Sequence, residues 1–265
     1  MLGLGTNIAQ SVVVVASEFT PTGYSLGFDG TNDWVDFGDG PWMDGTTDFS
    51  FQMWMKVPDF TGWVVFLNKI DDNTSSTSGL RSRFTTGDDI NILLKGGFED
   101  GTGATTLAGA TTNTTLTSLQ DTWVHVVVTC DRDTDTKIYI NGSLNNTASY
   151  VSNTSVSASN SGQLVLGGIP AGYPTISHVT QDLTATGVSE FAFWDVALDA
   201  DAVTVLWNSG SAVNLLEDSG NYDNSGDLTG YWRLDEGTGT SSEDLSQSNN
   251  GAVNNATWVS DSPWA

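Results

Sequence analysis

The chain has 265 residues and a formal net charge of −24, from 32 acidic and 8 basic side chains. Eight cations are too few to neutralise a row of phosphates, so the charge excludes nucleic acid as a partner and disfavours an anionic membrane surface. Only six of the acids are glutamates, and there are 29 glycines. This composition is typical of turns rather than of surface helices. The composition therefore predicts short strands joined by polar loops in one large domain.

The single cysteine, Cys130, excludes an intrachain disulfide and the usual zinc spacings. No apolar run is long enough to span a membrane. Residues 1–16 lack the basic start and continuous apolar core of a signal peptide, so we expect synthesis in a cytoplasm without a secretion signal.

Alternation of apolar and polar residues recurs along the chain and predicts an all-β sandwich. Beyond Tyr24, the predicted strands are Phe49–Val57, Trp63–Asn68, Ile90–Lys95, Trp123–Cys130, Lys137–Ile140, Leu164–Leu166, Glu190–Trp194 and Tyr231–Leu234. Phe49–Val57 carries Trp54 on its polar side, so we expect that strand to be covered on both faces. Asn141-Gly142 predicts a tight hairpin turn after Lys137–Ile140.

One short helix is predicted after the Glu190–Trp194 strand. Asp199 is its expected N-cap, and Val203, Leu206 and Trp207 form one apolar stripe. Asn208-Ser209-Gly210 is expected to end it.

The chain divides into three parts: an N-terminal arm (1–21), the β-sandwich (22–220) and a C-terminal segment (221–265) that packs on the sandwich or on a neighbour. The arm alternates small and β-branched residues, so it is suited to pair with an open sheet edge of another subunit. The alternative is a strand of its own domain. The residues expected to make this assembly contact are Leu2, Leu4, Ile8, Val12 and Val14.

Five segments resemble, in order, the motifs of laminin G-like domains of the concanavalin A-like lectin/glucanase family. They are Leu26–Val35, Phe49–Lys56, Trp123–Thr129, Lys137–Gly142 and Ser189–Leu198. The resemblance implies a jelly-roll sandwich of two antiparallel sheets with one short helix.

The same resemblance implies a structural Ca²⁺ near the Phe28-Asp29-Gly30 turn. Its implied ligands here are Asp29 and Asp33, with Glu190 nearby, since Ca²⁺ takes six to eight oxygen ligands. Ser189 stands where relatives commonly carry an aspartate, which removes one carboxylate. We therefore expect that this turn binds a structural Ca²⁺ ion.

Glycan binding is the family's common use and is expected of aromatic and acidic residues in the loops. The candidates are Trp42, Trp63, Tyr173, Asp71 and Asp72. The alternative for the tryptophans is that they only cover the sandwich edge. Glycoside hydrolysis needs two facing carboxyl groups, and no strand shows an alternating Glu-x-Asp-x-Glu pattern, so we expect no catalysis. His125 and Cys130 are expected to be structural.

The C-terminal stretch Leu228–Gly237 and the apolar, glycine-containing N-terminus resemble virion proteins of marine bacteriophages. This resemblance predicts a non-enzymatic virion protein, assembled in the host cytoplasm, that decorates a capsid or belongs to a tail or fibre. Its expected partners are other virion subunits, further copies of itself and a surface glycan. The alternatives are an extracellular carbohydrate-binding adhesin of a marine bacterium and, third, an acidic jelly-roll hydrolase.

Overall fold

The computed structural model describes residues 19–40, 42, 45–59, 62, 64–70, 79–96, 105–113, 116–149, 157–168 and 183–265. Within these ranges the chain forms strands and one short α-helix. In chain order they are β1 (Ser25–Asp29), β2 (Trp34–Asp36), β3 (Phe49–Lys56), β4 (Val65–Ile70), β5 (Gly79–Phe84), β6 (Ile90–Gly96), β7 (Thr105–Thr111), β8 (Trp123–Cys130), β9 (Asp135–Ile140), β10 (Ser143–Ser149), β11 (Leu164–Gly167), β12 (Thr184–Trp194), α1 (Ala200–Trp207), β13 (Leu228–Trp232), β14 (Ser241–Ser242), β15 (Gly251–Asn254) and β16 (Thr257–Val259).

The strands form two antiparallel sheets, which confirms the predicted fold class. The first sheet has the order β10-β9-β8-β3-β12-β1-β16, with β13 also paired to β12. The second has the order β14-β15-β2-β11-β4-β5-β6-β7. The β15–β16 hairpin passes from the second sheet to the first, because β15 pairs with β2 and β16 pairs with β1.

The main core fills the space between the sheets. Every second residue of β3 enters it, from Phe49 through Phe51 and Met53 to Met55, as the two-residue period of a strand requires. Aromatic rings dominate one end of this core, where Trp232 packs on Phe37 and Phe191 with centroid distances of 4.2 and 5.4 Å.

The first sheet is also covered on its outer face. Leu198, Val203 and Leu206, in and beside α1, pack with Trp194 and Tyr231 in a second apolar cluster. The central strands β3 and β8 and the second half of β12 are therefore buried on both faces, as predicted for β3 from its Trp54.

The predicted caps of α1 are confirmed. Asp199 accepts a hydrogen bond from the Ala202 amide at 2.8 Å, and Asn208 ends the helix with a φ of 41°. The hairpin turn after β9 is confirmed as well. Asn141 and Gly142 have φ values of 49° and 73°, as the two-residue turn between twisted strands requires.

The segment 221–265 contributes strands to both sheets. β13 lies beside β12, and Phe191 pairs with Trp232. β15 and β16 extend the two sheets at their edges. Among the described residues, no helix is long and apolar enough to cross a membrane.

Gly230 in β13 offers a test of this packing. A Cβ there would lie 2.3 Å from Cη2 of Trp232 and 3.1 Å from Nε1 of Trp42. We expect Gly230→Ala to lower the free energy of unfolding by about 1–3 kcal/mol, because the core must be displaced. The measurement is urea unfolding followed by tryptophan fluorescence.

Gly226→Ala is the matched control, because no heavy atom lies within 4 Å of its Cβ position. Equal midpoints for the two variants would contradict the role assigned to Gly230.

Candidate functional site

Asp29 and Asp33 hold the turn between β1 and β2. Asp33 Oδ2 accepts a hydrogen bond from the Asp29 amide at 2.6 Å, and Asp29 Oδ1 accepts one from the Thr31 amide at 2.8 Å. The Gly168 amide donates to the Asp33 carbonyl at 2.6 Å. These carboxylates therefore stabilise the local backbone through their own oxygens.

Glu190 does not lie beside this turn, so the predicted grouping of Asp29, Asp33 and Glu190 is wrong. Asp29 pairs with Thr184 at the start of β12, and Glu190 lies six residues further along, about 20 Å for an extended strand. Within the part of the chain that the structure describes, no three His, Cys, Asp or Glu side chains are grouped to hold a metal ion.

Glu190 instead occupies a bulge in the middle of the first sheet. Its φ is 54°, and the β3–β12 register shifts between Ser189 and Ala192. The Tyr231 hydroxyl donates a short hydrogen bond to its Oε2, and Arg233 Nε lies 3.4 Å from its Oε1. Loss of hydration raises the pKa of Glu190 to about 8, against the opposing effects of Tyr231 and Arg233.

Glu190 and Asp235 flank one guanidinium, since Arg233 Nη2 lies 2.7 Å from Asp235 Oδ2. The chain before β1 covers this pair: Phe19 packs under the Arg233 guanidinium at 4.6 Å. The Thr22 amide donates to Asp235 Oδ2 at 3.2 Å. Glu190 and Asp235 are only 2% and 8% exposed, so neither carboxyl group is presented to a sugar.

His125 and Cys130 lie inside the first sheet. Burial lowers the pKa of His125 to about 3 and raises the pKa of Cys130 to about 12. At neutral pH His125 is therefore uncharged and Cys130 is a thiol, a poor nucleophile. His125 Nε2 lies 3.2 Å from Gln52 Oε1, and its ring packs on Trp54.

Trp42 is not available to a sugar, so its prediction as a glycan-binding residue is wrong. Its side chain is 1% exposed, its Nε1 donates to the Thr229 carbonyl at 3.2 Å, and its ring meets Trp232 edge-on at 5.7 Å. Trp42 is buried because of tertiary packing: Gly40 and Gly230 have no side chain and so leave room for the rings of Trp42 and Trp232. The other glycan candidates, Trp63, Tyr173, Asp71 and Asp72, and the assembly residues Leu2, Leu4, Ile8, Val12 and Val14, lie outside the described residues.

The outer face of the second sheet carries polar side chains in cross-strand rows. Asp36 pairs with Val165, which pairs with Asn68, which in turn pairs with Arg81. Arg83 pairs with Asn91 on β6, and Arg83 Nε donates to Asn91 Oδ1 at 3.0 Å. We call this surface, with Trp34 at one end, the polar face.

Trp34 lies on the polar face because its neighbour Val35 enters the core. It is partly exposed and pairs with Gly167 across β2 and β11. Composition emphasised the acids, so sequence reasoning missed this face. The sequence did contain a sign of this face in the segment Arg81-Ser82-Arg83. Its two arginines, out of only eight cations in the chain, stand at alternate positions of a strand.

A cavity of about 280 Å³ lies between the end of α1 and the following connection. Asn208, Asn214 and Asp218 line it. Asn214 Oδ1 accepts a hydrogen bond from the Leu216 amide at 3.2 Å, and Asp218 Oδ1 accepts one from Ser225 at 3.1 Å. These oxygens hold the connection in its turns.

The buried Glu190 predicts a specific pH dependence. The folded protein keeps the Glu190 proton up to about pH 8, whereas the unfolded chain releases it near 4.5. Stability from this group is complete below the lower value and is lost as pH rises through the window, by at most about 1.4 kcal/mol per pH unit. We expect Glu190→Gln, which stays neutral, to remove this loss.

The measurement is the difference in unfolding free energy between the two proteins at several pH values from 4.5 to 8.5. It should shift in favour of the variant as pH rises. A constant difference would show that Glu190 is ionised in the folded protein.

Two solved structures similar to this chain are a candidate carbohydrate-binding protein and the binding domain of a toxin. A Bacteroides ovatus protein described as a candidate carbohydrate-binding protein is 19% identical, with a TM-score of 0.59, covering 93% of this chain and 62% of its own. The botulinum neurotoxin serotype G binding domain is 19% identical, with a TM-score of 0.48, covering 67% and 40%. The chain thus spans less than two thirds of the length of either structure, and at these identities the likeness concerns the fold alone.

No curated protein sequence matches this chain. A family model does: the laminin G type 3 model of the concanavalin A-like lectin/glucanases superfamily matches residues 29–204. This range begins at the β1–β2 turn and runs through both sheets into α1. The chain belongs to the concanavalin A-like lectin/glucanases superfamily.

Proposed function

We propose that this chain is a non-catalytic carbohydrate-binding protein and that it serves as a structural component of a virion. The observation that carries the binding proposal is the polar face of the second sheet. An aromatic ring and several amide, carboxylate and guanidinium groups lie there on neighbouring strands. Sugars are recognised by this combination, since rings pack on their apolar faces and polar groups bond to their hydroxyls.

Rigid positioning of these groups favours the proposal. Val165 and Asn68, in the centre of the polar face, are buried at 2% and 4% exposed, so the side chains that can contact a sugar are the partly exposed ones around them: Trp34, Asp36, Arg81 and Arg83. Adjacent strands lie about 4.8 Å apart, so the step from Asp36 to Arg81, three strands across, is about 14 Å. That width is comparable to two or three sugar rings, and side chains on strands hold their places better than side chains on loops.

The non-catalytic part of the proposal rests on the carboxyl groups. Retaining and inverting glycosidases place two carboxyl groups on either side of an accessible sugar bond. Here the two carboxyl groups that Arg233 joins belong to Glu190 and Asp235. Both are buried beneath Phe19 and Thr22. The similar Bacteroides ovatus structure is described as a candidate carbohydrate-binding protein, which supports a sugar ligand.

Trp34→Ala tests where sugar binds. We expect the wild-type protein to retain glycans on an array, and the variant to lose at least about tenfold in affinity, about 1.4 kcal/mol, because the sugar loses its packing surface. Affinity is measured by calorimetry with the best array ligand, and product analysis checks that the ligand is not hydrolysed.

Tyr24→Ala is the matched control, because Tyr24 is 40% exposed and lies beside β1 of the other sheet. Absence of binding to any glycan would refute the binding proposal. An equal loss in both variants would remove the site from the polar face.

The virion proposal is supported by the resemblance of both chain ends to phage structural proteins and by the acidic surface. At high ionic strength the Debye length falls to a few Å, so acidic subunits can lie close together. The proposed contact is the N-terminal arm. Phe19 and Thr20 already pack on Arg233, which sets the boundary of a clean deletion at residue 18.

Deletion of residues 2–18 is expected to leave the melting temperature unchanged and to abolish self-association, because the contacts of Phe19 onward stay intact. Analytical ultracentrifugation in buffer of marine ionic strength measures the oligomeric state. An unchanged oligomer after deletion, or a full-length chain that stays monomeric, would contradict the arm as the assembly contact.

A further inference from the structure

Lys69 is a buried cation in the second sheet. On β4 it follows Leu67 by two positions, and it pairs with Leu164 on β11 and with Leu80 on β5. All three leucines belong to the core, so the Lys69 side chain lies on the inner face of the sheet, and it is 0% exposed. A buried ammonium group is costly unless oxygen atoms surround it.

Three oxygen atoms contact the Lys69 ammonium group. Its Nζ lies 2.8 Å from Oδ1 of Asp39, 2.8 Å from the Gly162 carbonyl oxygen and 3.3 Å from the Asn160 carbonyl oxygen. An ammonium group has three N–H donors and no acceptor, so each donor has one oxygen. We call these three oxygen atoms the oxygen cage.

Hydrogen bonds that do not involve the Lys69 ammonium group also hold the oxygen cage. The Leu164 amide donates to the Gly38 carbonyl at 2.9 Å and so joins the chain before β11 to the chain after β2. The Gly162 amide donates to Asn160 Oδ1 at 2.8 Å, and Asn160 Nδ2 donates to the Ala158 carbonyl at 3.2 Å. We therefore expect the cage oxygens to keep their places when the Lys69 side chain is shortened.

The chemistry of the oxygen cage is that of a cation site. One carboxylate and two backbone carbonyls are hard oxygen ligands, and the single carboxylate balances one positive charge. The two shorter distances from Nζ, 2.8 Å each, exceed the about 2.3–2.6 Å that Ca²⁺ takes. The cage therefore suits a larger univalent ion such as K⁺, which carbonyl oxygens also coordinate.

The oxygen cage opens to solvent on the side of Asp39. The Asp39 side chain is 49% exposed, whereas the Lys69 side chain is 0% exposed. The ammonium group thus reaches the cage from the protein interior, and the carboxylate faces water. An ion from solution has a route to the cage once the Lys69 side chain is removed.

We propose that the oxygens of Asp39, Asn160 and Gly162 form a site for a univalent cation, which the Lys69 side chain fills from within the protein. The cation is covalently attached, so it does not exchange with ions in solution. It joins the chain after β2 to the chain before β11 whatever salt surrounds the protein. This inference concerns a different place from the polar face and does not depend on carbohydrate binding.

Lys69→Ala tests the proposal, because it empties the site. We expect its melting temperature to be at least about 2 °C higher in potassium chloride than in choline chloride at equal concentration, since K⁺ fits the cage and choline does not. Propylammonium chloride should also raise it, because propylammonium replaces the deleted atoms of the side chain. The wild-type protein should melt at the same temperature in all three salts.

Lys56→Ala is the matched control. Lys56 contacts Asp261 at 2.7 Å, but its side chain is 27% exposed, so its removal leaves no enclosed site, and we expect no preference for K⁺. The double variant Lys69→Ala with Asp39→Asn should lose the preference, because the carboxylate of the cage is gone.

Three results would overturn the proposal. They are equal melting of Lys69→Ala in the three salts, an equal preference for K⁺ in Lys56→Ala, and a larger rise with calcium chloride than with potassium chloride at equal ionic strength. If Lys69→Ala is unfolded in choline chloride, circular dichroism measures whether potassium or propylammonium chloride folds it. Lys69→Met, which keeps an apolar side chain, is then compared in the same salts, and failure of both variants to respond to potassium would also overturn the proposal.

Discussion

Burial of the central strands of the first sheet on both faces is the constraint on which much of this structure depends. The inner face packs against the second sheet, and the outer face is covered by α1 and the connection that follows it. Polar side chains on these strands are favoured when they have a partner or are uncharged, because buried charges are costly. Gln52 meets His125 in this way. Glu190 accepts a hydrogen bond from Tyr231 and lies beside Arg233, and its burial favours the protonated form of its carboxyl group.

The second sheet differs from the first, because in the described residues apolar side chains cover only its inner face. The first sheet therefore supports the fold, and the second sheet carries the polar face. Its inner residues complete the core, whereas its outer residues include arginine, asparagine and aspartate. In laminin G-type sandwiches the fold itself says little about function. The chemistry on the outer face has to supply that information, and here it includes two arginines, Arg81 and Arg83, in a strongly acidic chain.

Local features of the sequence predicted the structure where local physics decides it. The turn at Asn141-Gly142 needs positive φ at both residues, and the cap of α1 needs only Asp199, so both were predicted correctly. β12 begins at Thr184 rather than Glu190, because its first half alternates weakly and is held by pairing with β1 and β3.

The candidate site was less accessible to sequence reasoning, because its parts lie on strands that are distant in the chain. The local sequence of Trp42 is that of a surface loop. Its ring is buried in the core because Gly230, which is far along the chain, leaves room for it. Asn68 and Arg81 become neighbours only through the β4–β5 register. The two arginines on alternate positions of β5 were visible in the sequence, but the side chains beside them depend on the pairing with β4 and β6.

The raised pKa of the buried Cys130 has a practical consequence for spectroscopy. Cys130 is the only cysteine in the chain, and maleimide and iodoacetamide reagents attack the thiolate, so the native protein should remain unmodified. Thr86 lies in the exposed turn just after β5, three residues beyond Arg83. A cysteine introduced there would be the single reactive thiol, and a fluorophore attached to it would report ligand arrival at the polar face without any change to the native thiol.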